Sequence, residues 1–146
     1  GGYRAQYSPA CDLDLWYRIA EHGRLVLALP EFLMYYRVHG GAQSVASTML
    51  QRARTHFINH NMRRRRQGES ERTLAEFEAW VQARPAQRLR WFLSDSGMSY
   101  YKRAGLAYGA GDWLGFALNL CIGLAFKPSQ IWKRLIPQFL SGVRRG

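Results

Sequence analysis

Cysteine is nearly absent from this chain of 146 residues: Cys11 and Cys121 are the only two. Two thiols so far apart exclude a disulfide framework, and neither has the spacing of a metal site. A reducing compartment is therefore the default. Acidic residues are scarce as well, ten against 21 Lys and Arg, which leaves a net charge of +11. Long apolar runs are missing. The longest uncharged helical stretch, Trp113–Phe126, has 14 residues, where a bilayer span takes about 20. Extended back to Ala104, the stretch reaches 23 residues but then includes Asp112 and five glycines. No signal peptide is expected from an opening that reads Gly1-Gly2-Tyr3-Arg4, without an apolar run. That opening reads as a cut through a longer protein. No low-complexity tract and no known nucleic-acid motif occurs.

What is there is distributed unevenly. Residues 1–47 hold four cations and four anions, whereas residues 48–146 hold 17 cations and six anions. The whole charge excess lies in the second part, which points to two units with different surroundings. The basic part calls for an anionic counterpart: a phospholipid surface, a nucleic acid or a phosphorylated substrate. An apolar content of 47% suffices for a core.

The pattern predicts a first helix, capped by Asp12 or its neighbour and running to about His22, with Gly23 stopping it. Arg24–Leu29 and Phe32–Val38 read as two strands around Pro30-Glu31, followed by a loop over His39–Ser44. From Ser47 onward the pattern predicts helices throughout. These are Ser47–Gln67, a helix capped by Ser70 and ending near Ala83, Ala86–Leu93, Gly97–Tyr108, Asp112–Phe126 and Ser129–Ser141. Asp112 is the expected cap of its helix, which is apolar nearly all round and must be buried or touch lipid. The pair 97–126 resembles a single tetratricopeptide-like unit.

The chemistry concentrates in Ala10–Ser44. Asp12 and Asp14 open a helix, and His39 follows 27 positions after Asp12 at the end of a predicted strand. An acid and an imidazole in one cleft can abstract a proton or hold a metal. The plain alternative for Asp12 is a helix cap, and for His39 an ordinary loop histidine. His56 and His60 stand four apart, the spacing of a zinc pair, but lack an acidic partner in the pattern.

Several blocks occur in order: Gly1-Gly2-Tyr3, Asp12-Leu13-Asp14-Leu15-Trp16-Tyr17-Arg18, Gly23, Leu29-Pro30-Glu31, and Tyr36-Arg37-Val38-His39 with Ser44. Together, over residues 1–46, they resemble the C-terminal part of a family 2 glycosyltransferase domain. The resemblance implies an α/β fragment, the end of a Rossmann-like GT-A domain, followed by an all-α basic extension over 47–146. It also implies roles. Asp12 is the general base on the acceptor hydroxyl, Gly1 and Gly2 end a loop beside the donor sugar, Arg37 binds substrate, and Asp14 either binds substrate on the acceptor side or is structural. His39 helps to hold a divalent Mg or Mn on the diphosphate. The family's Glu position is Cys11 here, so the base lacks its acidic neighbour. The parts that bind the nucleotide, with their Asp-x-Asp motif, are not in this sequence. The 146 residues alone are therefore expected to transfer nothing.

The expected partners are a nucleotide-sugar donor, a glycan or lipid-linked acceptor and an anionic membrane surface, with no nucleic acid. The expected location is the inner face of the cytoplasmic membrane. Arg63-Arg64-Arg65-Arg66, Arg88, Arg90, Trp91, Trp132, Lys133 and Arg134 support the membrane surface, because basic residues beside Trp suit anionic lipid. A solvated basic segment is the plain alternative. The rival class is a non-catalytic helical adaptor or membrane-surface module, which Cys11 favours.

Overall fold

A computed structural model of the chain describes residues 2–31, 33–34, 47–129, 131 and 133. A short 3-10 turn, Ala5–Tyr7, precedes five α-helices among the described residues. These are α1 (Cys11–Glu21), α2 (Thr48–Arg66), α3 (Leu74–Gln82), α4 (Pro85–Gly109) and α5 (Trp113–Phe126). The chain divides into two compact units, with the change at Arg84 and Pro85.

The expected α/β fragment is corrected: among the described residues there is no strand and no sheet. Arg24–Leu29 carries β-prone side chains but runs without a ladder, with Leu25 85% and Leu27 79% exposed. A strand persists only when a neighbour accepts from its amides and donates to its carbonyls. No described segment offers that edge. Of the second expected strand, Leu33 and Met34 are exposed and outside any strand, and the rest lies outside the described residues.

The first unit is built around α2. Phe57 and Ile58 are fully buried on one face of that helix, and Asn61 follows one turn later on the same face. Tyr7 and Phe77 flank Phe57, with ring centroids at 5.0 Å and 5.2 Å. Burying a ring such as Phe57 contributes about 2–3 kcal/mol by transfer alone. The start of α3 is fixed by Thr73 rather than by Ser70. Thr73 Oγ1 accepts from the Glu76 amide while the Glu76 carboxylate accepts from the Thr73 amide, a complete capping box. Gly23, at φ +71°, ends the N-terminal helix as its position suggested.

The second unit is a helical hairpin. The expected break between Leu93 and Gly97 is absent, and α4 runs unbroken through both expected helices. Gly97 stays helical because its bare backbone admits the partner helix. A Cβ there would lie 3.3 Å from the Gly123 carbonyl and 3.2 Å from Lys127 Cβ. Asp112 caps α5 as expected, its side chain accepting from the Gly115 amide at 2.8 Å. The expected helix Ser129–Ser141 falls mostly outside the described residues.

Candidate functional site

The N-terminus of α1 sorts its two carboxylates into opposite environments. Ala10 occupies the N-cap and offers no side-chain acceptor, so Asp12 and Asp14 sit inside the first turn. Both carboxylates are favoured there by the partial positive charge of the helix end. The cap is thus neither Asp12 nor its immediate neighbour, contrary to expectation. Asp12 is exposed, and its Oδ1 accepts from the Leu13 amide at 2.8 Å. Asp14, two residues on, is fully buried.

Asp14 accepts from Arg4 through two nitrogens, Nε at 2.9 Å and Nη2, and from Arg18 Nε at 3.1 Å. Arg65 Nη1 stands 4.0 Å away. Burial pushes the Asp14 carboxyl up, but these guanidinium bonds outweigh it and hold the group below the usual aspartate value. Arg18 Nη2 also donates to the carbonyl of Gly2 at 2.7 Å, so Gly2 and Asp14 are joined through one side chain. Gly1, Arg37 and His39 lie outside the described residues.

The ion pairs extend into the rest of the unit. Arg4 Nη1 donates to Glu71 Oε2 at 2.8 Å, and the Tyr7 hydroxyl donates to the same oxygen at 3.2 Å. Arg65 bridges Glu71 to Glu21, with Nε donating to Glu21 Oε2 at 2.8 Å. Burial raises the Glu71 carboxyl, yet Arg4 and Arg65 bring it below its ordinary value. Arg4 is raised, chiefly by its bond to Asp14. Three guanidinium groups thus face three carboxylates. Such a balanced cluster fixes the geometry of α1 and leaves no net charge to draw a ligand.

The arginine run of α2 is divided by this arrangement. Arg65 is held by Glu21 and Glu71, and Arg64 by Glu69 and the Ser70 carbonyl. Arg63 and Arg66 are exposed. The fully solvated basic segment is therefore half of what the sequence shows.

Beside α3 lies an open groove of about 460 Å³, lined by Arg64, Ser70, Glu71, Arg72, Glu76 and Trp80. Its two cations are matched by two carboxylates. His60 packs against Trp80, with ring centroids at 4.5 Å, and Arg72 Nη1 meets its Nε2 at 3.3 Å. Burial, and then the nearby arginines led by Arg72, lower the imidazole to a pKa of about 4. An uncharged Nε2 accepting from Arg72 fits that shift. Among the described residues no group of three His, Cys, Asp or Glu side chains could hold a metal ion.

Two organising residues escaped the sequence reading. Asn61, fully buried, donates to the Tyr7 hydroxyl and the Arg72 carbonyl and accepts from the Arg72 amide, each at 3.0 Å. Glu71 gathers Arg4, Tyr7 and Arg65. The available signal was a polar residue on the apolar face of a helix, four after Phe57 and three after Ile58. Glu71 carried no such signal, because its partner Arg4 is 67 positions away.

No protein-family model, no curated protein and no solved structure matches this chain.

Proposed function

We propose that the chain is part of an inverting sugar transferase of the family 2 type, with Asp12 as the general base. The donor is a nucleotide sugar and the acceptor is a hydroxyl of a glycan or lipid-linked glycan. In a single displacement the acceptor oxygen bonds to the anomeric carbon and its proton passes to the Asp12 carboxylate. The bond to the nucleotide diphosphate breaks and takes its electron pair with it. The observation that carries the reading is the contrast at the start of α1. A base must be reachable by an incoming hydroxyl, and Asp12 is exposed while Asp14 is buried.

In this reading Asp14 is a positioning residue. Its bonds to Arg4 and Arg18 fix the first turn and so fix the direction of Asp12. The link from Arg18 to the Gly2 carbonyl carries the same constraint to the segment proposed to border the donor, together with Gly1 and Arg37. A divalent Mg or Mn, with His39 as a ligand, belongs to the complete enzyme. The enzyme works as a peripheral protein at the inner face of the cytoplasmic membrane.

The test is Asp12→Asn in the complete enzyme, assayed against a panel of nucleotide sugars. Loss of an essential base lowers kcat by about 10²–10⁴-fold. Turnover within a few-fold of the parent removes Asp12 from the role.

One observation favours a second reading, a non-catalytic helical adaptor: the described residues form helices and no strand. Cys11, in place of an acidic neighbour to Asp12, points the same way. An adaptor leaves Asp12→Asn without consequence in every assay.

A further inference from the structure

We infer that α5 is a lipid-facing helix whose outward stripe lies in the headgroup boundary of an anionic phospholipid bilayer. This deepens the membrane placement of the reading above and is independent of the chemistry at Asp12.

The two faces of α5 are distinct. Phe116, Gly123 and Phe126 turn toward α4. The Phe116 ring meets Tyr108 at 5.5 Å, Phe126 stacks on Tyr100 at 5.9 Å, and a Cβ on Gly123 would lie 3.3 Å from the Gly97 carbonyl. On the opposite side Leu114, Ala117, Leu118, Cys121 and Ala125 follow at helical spacing, and all five are exposed. Leu114 is 81% exposed and Leu118 59%. No charged residue interrupts Trp113–Phe126. At the N-terminal end the stripe meets two exposed rings, Trp113 and Tyr108, packed edge to face at 5.4 Å. Indole and phenol groups suit the boundary between headgroups and acyl chains.

Length decides the orientation. Fourteen residues make a helix of about 21 Å, short of the ~30 Å hydrocarbon layer. No helix among the described residues is long and apolar enough to cross a membrane. The stripe therefore lies along the surface rather than across the bilayer.

Charge decides the occupant. The described part of this unit carries Arg88, Arg90, Lys102, Arg103, Lys127 and Lys133. Against these six cations it holds two acids, Asp95, which is buried, and the exposed Asp112, which caps α5 through the Gly115 amide. A second copy laid on the stripe would bring together two units of net positive charge. Anionic headgroups complement it, and each nearby Lys or Arg strengthens the attraction.

The experiment uses the full chain and sedimentation with vesicles of phosphatidylglycerol and phosphatidylcholine in equal parts. Leu114→Glu combined with Leu118→Glu changes exposed side chains only, and far-UV circular dichroism checks that the helices persist. The double variant is expected to partition about tenfold more weakly or worse. A polarity-sensitive dye on Cys121, in a Cys11→Ser background, is expected to shift to the blue on vesicles and to be quenched by brominated acyl chains. Asp12→Asn is expected to bind vesicles like the parent, which separates this inference from the fate of the catalytic one. Absence of vesicle binding, unchanged binding by the double variant, or a dye that stays in water on bound protein would each overturn the inference. So would a parent dimer that the double variant converts to monomer without any lipid binding.

Discussion

Arg4 and Glu71, 67 positions apart, meet through Nη1 and Oε2 at 2.8 Å. That contact ties the N-terminal segment to the turn before α3, and the same guanidinium grips Asp14 at the start of α1. One arginine thus holds three parts of the first unit together, and the neighbouring acids at α1 acquire opposite fates.

Asp14→Asn and Asp12→Asn should therefore differ in stability. Removing the buried carboxylate leaves Arg4 and Arg18 facing an uncharged amide, and the cost is about 3 kcal/mol. Asp12→Asn at the surface changes stability by no more than about 0.5 kcal/mol. Urea unfolding followed by circular dichroism separates the two. Equal effects would contradict the division between a reachable acid and a structural one.

His60 sets an acid sensitivity that starts above the carboxylate range. Its folded pKa is depressed to about 4, against about 6.5 for a free imidazole. Above pH 6.5 it is uncharged in both states and adds no pH dependence. As pH falls from about 6.5 toward 4 the unfolded chain takes up a proton that the folded chain refuses, so stability declines. Asp14 and Glu71, both depressed, add their own loss as pH falls further. The melting temperature should drop between pH 7 and pH 5, and His60→Phe should flatten that slope. An unchanged slope in the variant would exclude His60 as its source.

The glycines of α4 make an internal comparison. Gly105 has open space where a Cβ would go, so Gly105→Ala should stabilise by about 0.5–1 kcal/mol through helix propensity. At Gly97 the same methyl meets the Gly123 carbonyl and two side-chain carbons at 3.2–3.3 Å. Gly97→Val should cost about 2–3 kcal/mol by forcing the hairpin apart. Thermal melts of the two variants should move in opposite directions.

Thr73→Ala tests the capping box. It removes the acceptor for the Glu76 amide and should cost about 1 kcal/mol. Ser70→Ala should cost clearly less, since Thr73 and not Ser70 starts α3.

Helices were legible where periodicity and punctuation agreed. α2 and α5 lie close to their expected bounds, because Asp112, Gly111 and Pro128 mark the ends of α5 by local chemistry. The unbroken α4 was not legible. Ser94-Asp95-Ser96-Gly97 has the composition of a loop, yet it is helical and buried, with Gly97 packed closely against the end of α5. The strands expected at 24–38 rested on β-propensity, which describes fitness for a neighbour that the described residues do not supply. At the candidate site, the acids of α1 were visible as a pair, but their sorting was not. Arg4, Arg65 and Glu71 bury one of them from far away in the sequence.

The bare run from Leu25 to Leu29 has a practical outcome. Proteases bind their substrates as extended chains, and here a leucine-rich segment without helix or ladder stands exposed after α1, free to adopt that form. It should be the first place cut. The severed α1 would nevertheless stay in place, riveted by Arg65 to Glu21 at 2.8 Å and by Tyr17 to Asn59 at 2.8 Å. The nicked protein should travel as one particle until denaturant separates the two pieces.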